Sequence, residues 1–137
     1  MANDIDSALE DWKRRVDEKT KSIESDLDQG LLKAALYAEG KAKQNAEERI
    51  YNQPIPTYNN GKPRWKRTGL YKASIASGMS PDKKHSSMIY NTVPYAKPLE
   101  YGTSKGIRGK NIMNDAVFKN GEDILKIIKG QIMNSTK

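Results

Sequence analysis

The sequence predicts an α+β fold, on three observations. Apolar residues recur at helical spacing through the first fifty positions, two short strand-like runs occupy the middle, and a second helical stripe closes the chain. At 137 residues the chain fits a single domain, 1–137, in which 31–137 forms an α+β core and 1–30 a projecting helical arm.

The first element is a long helix. Ile5, Leu9, Trp12 and Val16 are spaced 4, 3 and 4, and Ile23 and Leu27 resume the stripe. Asn3 or Asp4 suits the N-cap, and Asp4, Asp6, Glu10 and Asp11 suit the positive end of the helix dipole. Gly30 interrupts the run and predicts a bend or a break there. Beyond it Ala34, Ala35, Ala38, Ala42 and Ala46 offer a small-residue face for close packing. Unbroken from residue 4 to 50, the helix would be roughly 70 Å long. A compact domain of this size is very roughly 35–40 Å across. Either the helix folds back at Gly30, or its first half projects with an apolar stripe that another subunit must cover.

From Tyr51 to Arg64 three prolines and Asn60-Gly61 predict a loop with a tight turn. Strands are expected at Ser74–Met79 and Ser86–Val93, separated by a turn at Pro81–Lys84. Pro94–Tyr101 reads as a short helix and Gly102–Gly109 as a loop. Asn111–Met133 reads as a closing helix with Ile112, Ala116, Val117, Ile124, Ile127, Ile128 and Ile132 on one face, weakened by Gly121 and Gly130.

Only 24 of the 137 residues are Leu, Ile, Val or Phe, so the core is thin and association would add buried surface. The net charge of +7 is unevenly spread: residues 1–50 carry −3, residues 51–110 carry +9 and residues 111–137 carry +1. An acidic arm and a basic middle attract each other, within one subunit or between neighbours. No apolar run reaches the ~18 residues of a membrane span, and residues 1–11 lack a signal-peptide core. Without cysteine there are no disulfides or thiolate sites, and a lone His85 excludes a paired-imidazole metal site. The expectation is a soluble, cytosolic basic protein with no cofactor, no metal and no membrane partner.

Catalytic constellations are poor. Glu100 stands in a basic surround, where an ion-pair role outweighs that of a hydrolytic base. His85 reads as a solvated turn residue, Ser74, Ser86 and Ser87 have no nucleophile-elbow context, and Gly102–Gly106 lacks phosphate-loop spacing. The chain reads as no enzyme. A nucleic-acid reading rests on Lys62, Arg64, Lys66, Arg67 and Lys72 around Trp65 and Tyr71, with Lys105, Arg108 and Lys110 as a second group. Basic residues interleaved with aromatics contact phosphates and stack on bases. The competing reading is a solvated loop rim with Trp65 turned onto the core.

Two phrases are more informative. In Arg67-Thr68-Gly69-Leu70-Tyr71-Lys72-Ala73-Ser74-Ile75, Thr68-Gly69 turns the chain into a short helix anchored by Leu70, and Ser74-Ile75 opens a strand. In Val93-Pro94-Tyr95-Ala96-Lys97-Pro98-Leu99-Glu100-Tyr101-Gly102-Thr103, Tyr95, Leu99 and Tyr101 are expected on the same sheet, and Gly102 releases the chain into a loop.

Together these phrases resemble the small tail-completion, or head–tail joining (neck), proteins of long-tailed bacteriophages, a family of minor tail components. Its pattern is an alanine-bearing helix, Thr-Gly-x-Leu-x-x-Ser-Ile, Tyr-Ala-x-x-x-Glu-x-Gly-Thr and a final helix. Thr68, Gly69, Leu70, Ser74 and Ile75 follow the first motif, with the leucine one place early. Tyr95, Ala96, Leu99, Glu100, Gly102 and Thr103 fall in the order of the second. The resemblance covers about residues 31–130. It implies a twisted, mostly antiparallel sheet flanked by helices and a non-catalytic virion protein at the head–tail interface, assembled in the bacterial host cytoplasm. It further implies a ring of six copies between the head connector and the tail-tube or tail-terminator protein, with DNA passing through non-specifically. The alternative is a basic nucleic-acid-binding module.

Overall fold

The computed structural model describes residues 2–64, 67–104, 106 and 108–135. The fold is α+β: a long N-terminal helix, a two-stranded antiparallel hairpin and short C-terminal helices packed on the long helix. Helix α1 spans Ala2–Ala46 and passes into a π-helical turn, Glu47–Tyr51. After a proline loop come α2 (Leu70–Ala73), strands β1 (Ile75–Met79) and β2 (Ser87–Asn91), α3 (Ala96–Tyr101), α4 (Ile112–Phe118) and α5 (Gly121–Ser135).

The expected break at Gly30 does not occur, and α1 runs through it without interruption. Gly30 is buried where α5 crosses, and an added Cβ would lie 3.2 Å from the Ile128 Cα and 3.2 Å from the Gln131 Cβ. The missing side chain allows two helix backbones to approach, rather than ending one of them. The alanine face continues that role: Ala34, Ala35, Ala38, Ala42 and Ala46 are all buried. Polar bonds lock the crossing. Tyr37 Oη donates to Asp123 at 3.0 Å, Lys33 Nζ donates to Gln131 at 2.7 Å, and Gln131 Nε2 donates to Gln29 at 2.9 Å. Residue 123 thus lies beside 37 and residue 131 beside 29–33, so α5 runs antiparallel to α1. The start of α1 at Ala2 precedes the expected caps, and the side chains of Asn3 and Asp4 lie outside the described residues.

The hairpin pairs Ile75 with Asn91 and Met79 with Ser87, close to the predicted strands. Strand β2 stops at Asn91 because its side chain turns to local backbone. The Asn91 carboxamide accepts from Val93 N at 3.0 Å and donates to the Tyr71 carbonyl at 2.7 Å. His85 is exposed at the turn, as expected, and also meets Asp28 at 2.8 Å, tying the hairpin turn to α1. In the proline loop, Gly61 takes a positive φ of 82°, and Tyr58 N donates to the Lys62 carbonyl at 2.9 Å, forming the tight turn expected at Asn60-Gly61.

The single closing helix predicted over Asn111–Met133 is two helices. The chain leaves α4 at Lys119 and re-enters helix at Gly121, with Ile124 N donating to the Asn120 carbonyl. The Asn120 side chain donates to the Ala116 carbonyl at 3.0 Å, satisfying a terminal acceptor of α4 where the turn ends. The central cluster is Ala42, Ala46, Tyr71, Ile75, Val93, Ile112 and Ala116. Three of its seven members are alanine, so the core is as thin as the composition implied.

Candidate docking cleft

The two phrases meet in space. Tyr71 and Tyr95 face each other with ring centroids 6.5 Å apart, and Asn91 bonds the Tyr71 carbonyl from β2. Thr68, Gly69, Leu70 and Tyr71 form one wall of a cleft of about 730 Å³, with Tyr95 and Leu99 among its other walls. The end of the long helix and the proline loop complete it through Ile50, Tyr51, Pro54 and Pro56.

Each part of the first phrase has a structural reason. Thr68 Oγ1 accepts from Leu70 N at 3.3 Å, and Gly69 turns into α2 with φ 76°, a left-handed conformation that favours glycine. Tyr71, not Leu70, anchors the turn: Tyr71 is 2% exposed, whereas Leu70 is 51% exposed and lines the cleft. Ile75 opens β1 and is buried, with Ser74 at the C-cap of α2. The Tyr71 hydroxyl is buried and has no hydrogen-bond partner among the described residues. Burial, with the neighbouring Glu100 carboxylate and the Tyr51 hydroxyl adding to it, pushes the Tyr71 phenol well above its usual value.

In the second phrase Glu100 is a helix cap rather than an ion-pair partner. It is 5% exposed, and its two oxygens accept from Met113 N at 2.9 Å and Asn114 N at 2.7 Å. These amides belong to the first turn of α4, whose own N-cap, Asn111, is left-handed and makes no side-chain cap. A carboxylate at a helix N-terminus also meets the positive end of the dipole. The loop that brings it there depends on two glycines. Gly102 has φ 81° and ψ −178°, a conformation essentially reserved for glycine. At Gly109 a Cβ would fall 2.7 Å from the Glu100 carbonyl oxygen. Lys110 N and Asn111 N then donate to the Leu99 and Glu100 carbonyls. Ala96 and Leu99 pack against the core, but Tyr95 and Tyr101 are 43% and 72% exposed, so neither aromatic packs onto the sheet as expected. Thr103 is half-buried in the loop that follows.

Arginines brace the cleft. Arg49 Nη1 donates to the Lys110 carbonyl at 2.8 Å and to Asp115 at 2.7 Å, holding the start of α4 against the end of α1. The Arg49 hydrogen bond holds the Asp115 carboxyl below its ordinary range. Arg67 donates to the Tyr51 carbonyl at 2.7 Å and also to the Gln53 carbonyl, fastening the proline loop. Sequence spacing gave no signal for Arg49, which stands sixty-one residues from Lys110.

The basic residues therefore do not behave as one group. Arg67 is committed to loop carbonyls, whereas Lys62, Arg64 and Arg108 are exposed and Lys110 is half-buried. Arg64 lies over the Tyr58 ring at 5.5 Å. Trp65, Lys66 and Lys105 lie outside the described residues. No described helix is long and apolar enough to cross a membrane. No family model matches the chain, and no curated protein or solved structure matches it.

Proposed function

We propose that the chain is a non-catalytic structural subunit of a phage virion, a tail-completion or head–tail joining protein. It works as one member of a ring, of six copies, between head connector and tail tube. The observation that carries this reading is that the two segments resembling that family meet at one cleft, lined by Thr68, Gly69, Leu70 and Tyr71 of the first and by Tyr95 and Leu99 of the second. A buried carboxylate and positive-φ glycines hold that arrangement, so the residue types in the two phrases have structural work to do. The long helix supports it further. Ile5, Leu9, Trp12 and Val16 are 68%, 50%, 58% and 41% exposed, an unburied stripe that suits a subunit finished by neighbours.

Cryo-electron microscopy of particles, with and without the gene for this chain, tests the reading. The expected result is a ring of density between head and tail that disappears with the gene and accommodates the α1 rod and the hairpin. Complete particles with an unchanged joint would contradict it. The nucleic-acid alternative draws on Lys62, Arg64 and Arg108 alone among the described exposed basic candidates. It predicts duplex binding at ~50 mM salt that falls steeply as salt rises.

A further inference from the structure

The exposed stripe and the cleft lie at opposite ends of one helix. Ile5, Leu9 and Trp12 occupy two turns near the start of α1, while Ile50 and Tyr51 form cleft wall just past its end. Along a continuous helix these points are roughly 55–70 Å apart. A stripe on such a rod cannot reach the cleft of its own subunit. The two surfaces nevertheless match in chemistry. Residues 4–11 carry four carboxylates, Asp4, Asp6, Glu10 and Asp11, and no cation. Among its described residues the cleft is walled by Tyr, Leu, Ile and Pro side chains with Arg67 and Lys110, by Arg49, which is paired with Asp115, and by no carboxylate of its own. Its volume of about 730 Å³ falls in the range that encloses several apolar side chains.

We propose that the first three turns of α1 from one copy dock into the cleft of the next, with Ile5, Leu9 and Trp12 inserted and the acidic residues beside Arg49, Arg67 and Lys110. This names the partner of the cleft as a second copy of the chain and rests on the reading of the chain as a self-assembling subunit. The contact is head-to-tail: each copy offers a stripe at one end and a cleft at the other. Such heterologous contacts propagate until they close as a ring, whereas a two-fold contact would stop at a dimer.

The absence of native cysteine makes a clean test possible. Ala8→Cys and Gln53→Cys place single thiols on exposed positions beside the stripe and on the cleft, leaving Ile5, Leu9, Trp12 and the cleft's Leu70 in place. The full-length double variant, treated with a short bismaleimide, is expected to give a ladder of covalent multimers. An equal mixture of the two single variants is expected to give an 8-to-53 dimer and nothing larger. Adding Glu10→Lys and Asp11→Lys to the double variant should lower the crosslinked yield about tenfold, with the circular dichroism of the two proteins alike in dilute solution, where neither is docked. Strong dimers from Ala8→Cys alone would mean that arms pair with arms and would overturn the proposal. So would a double variant that stays monomeric under the reagent up to about 1 mM protein, where contacts of about −4 kcal/mol are half-formed. Multimers from a chain absent from particles would overturn the neck reading alone. Virion-bound chain that yields no 8-to-53 product would overturn the docking alone.

Discussion

Glu100 shows how one side chain sets the path of twenty residues. Its carboxylate replaces the missing cap of α4, and the loop from Gly102 to Gly109 exists in the shape needed to deliver it. Glu100→Gln keeps the size, but it removes the charge and turns an amide NH2 toward a backbone N–H. The expected loss is about 1–2 kcal/mol, read as a lower urea midpoint with unchanged slope. An unaltered midpoint would mean that the cap contributes nothing. Tyr71 is the opposite case, a buried hydroxyl with no partner among the described residues. Tyr71→Phe should leave stability unchanged or raise it by about 1 kcal/mol. Because the folded phenol titrates above its unfolded value of about 10, the folded state holds its proton where the unfolded state releases it. Stability is therefore full below about pH 10 and falls as pH rises beyond it. Denaturation midpoints of wild type and Tyr71→Phe should diverge above pH 10, with the wild type losing more. Neither role was visible in the sequence. Glu100 reads as an isolated acid because its partners are backbone amides thirteen and fourteen residues on, and an anchor at Leu70 rather than Tyr71 is a one-residue error that short helices invite.

At the scale of elements, α1 is the support on which everything else packs, and its glycines have unlike meanings. Gly30 sits under α5, whereas Gly40 has open space where a Cβ would be. Gly40→Ala should stabilise by about 1 kcal/mol through helix propensity alone. Gly30→Val should destabilise by about 1–3 kcal/mol, because the branched side chain meets the Ile128 backbone and forces α5 away. Thermal melts of the two variants should move in opposite directions; a common direction would contradict the crossing. Sequence pattern placed this helix, both strands and α3 close to where they are, because stripe period and turn residues act locally. It could not separate a glycine that breaks a helix from one that admits a neighbour, since that depends on a segment a hundred residues away. The division at Lys119-Asn120 escaped for a related reason. Ile112, Ala116 and Ile127 remain near one helical phase across the interruption, so periodicity alone reads through it.

The whole molecule is a rod with a small α+β head at one end. The same face of α1 that is buried from Ala34 to Ala46 continues toward the N-terminus as Val16, Trp12, Leu9 and Ile5, where it is exposed. A helix projecting from its domain has little besides its own hydrogen bonds to hold it, and such helices are marginal in water. In the docking proposed above the arm gains its order from the cleft of another copy, a pairing that the charge difference between residues 1–50 and 51–110 favours. Amide hydrogen exchange on the full-length chain, compared between dilute and concentrated solution, reads this most directly. In dilute solution residues 5–22 should exchange orders of magnitude faster than residues 34–46, and on concentration the arm alone should slow toward the value of the buried segment. Arm amides already as protected as Ala34–Ala46 in the dilute monomer, and indifferent to concentration, would contradict the account.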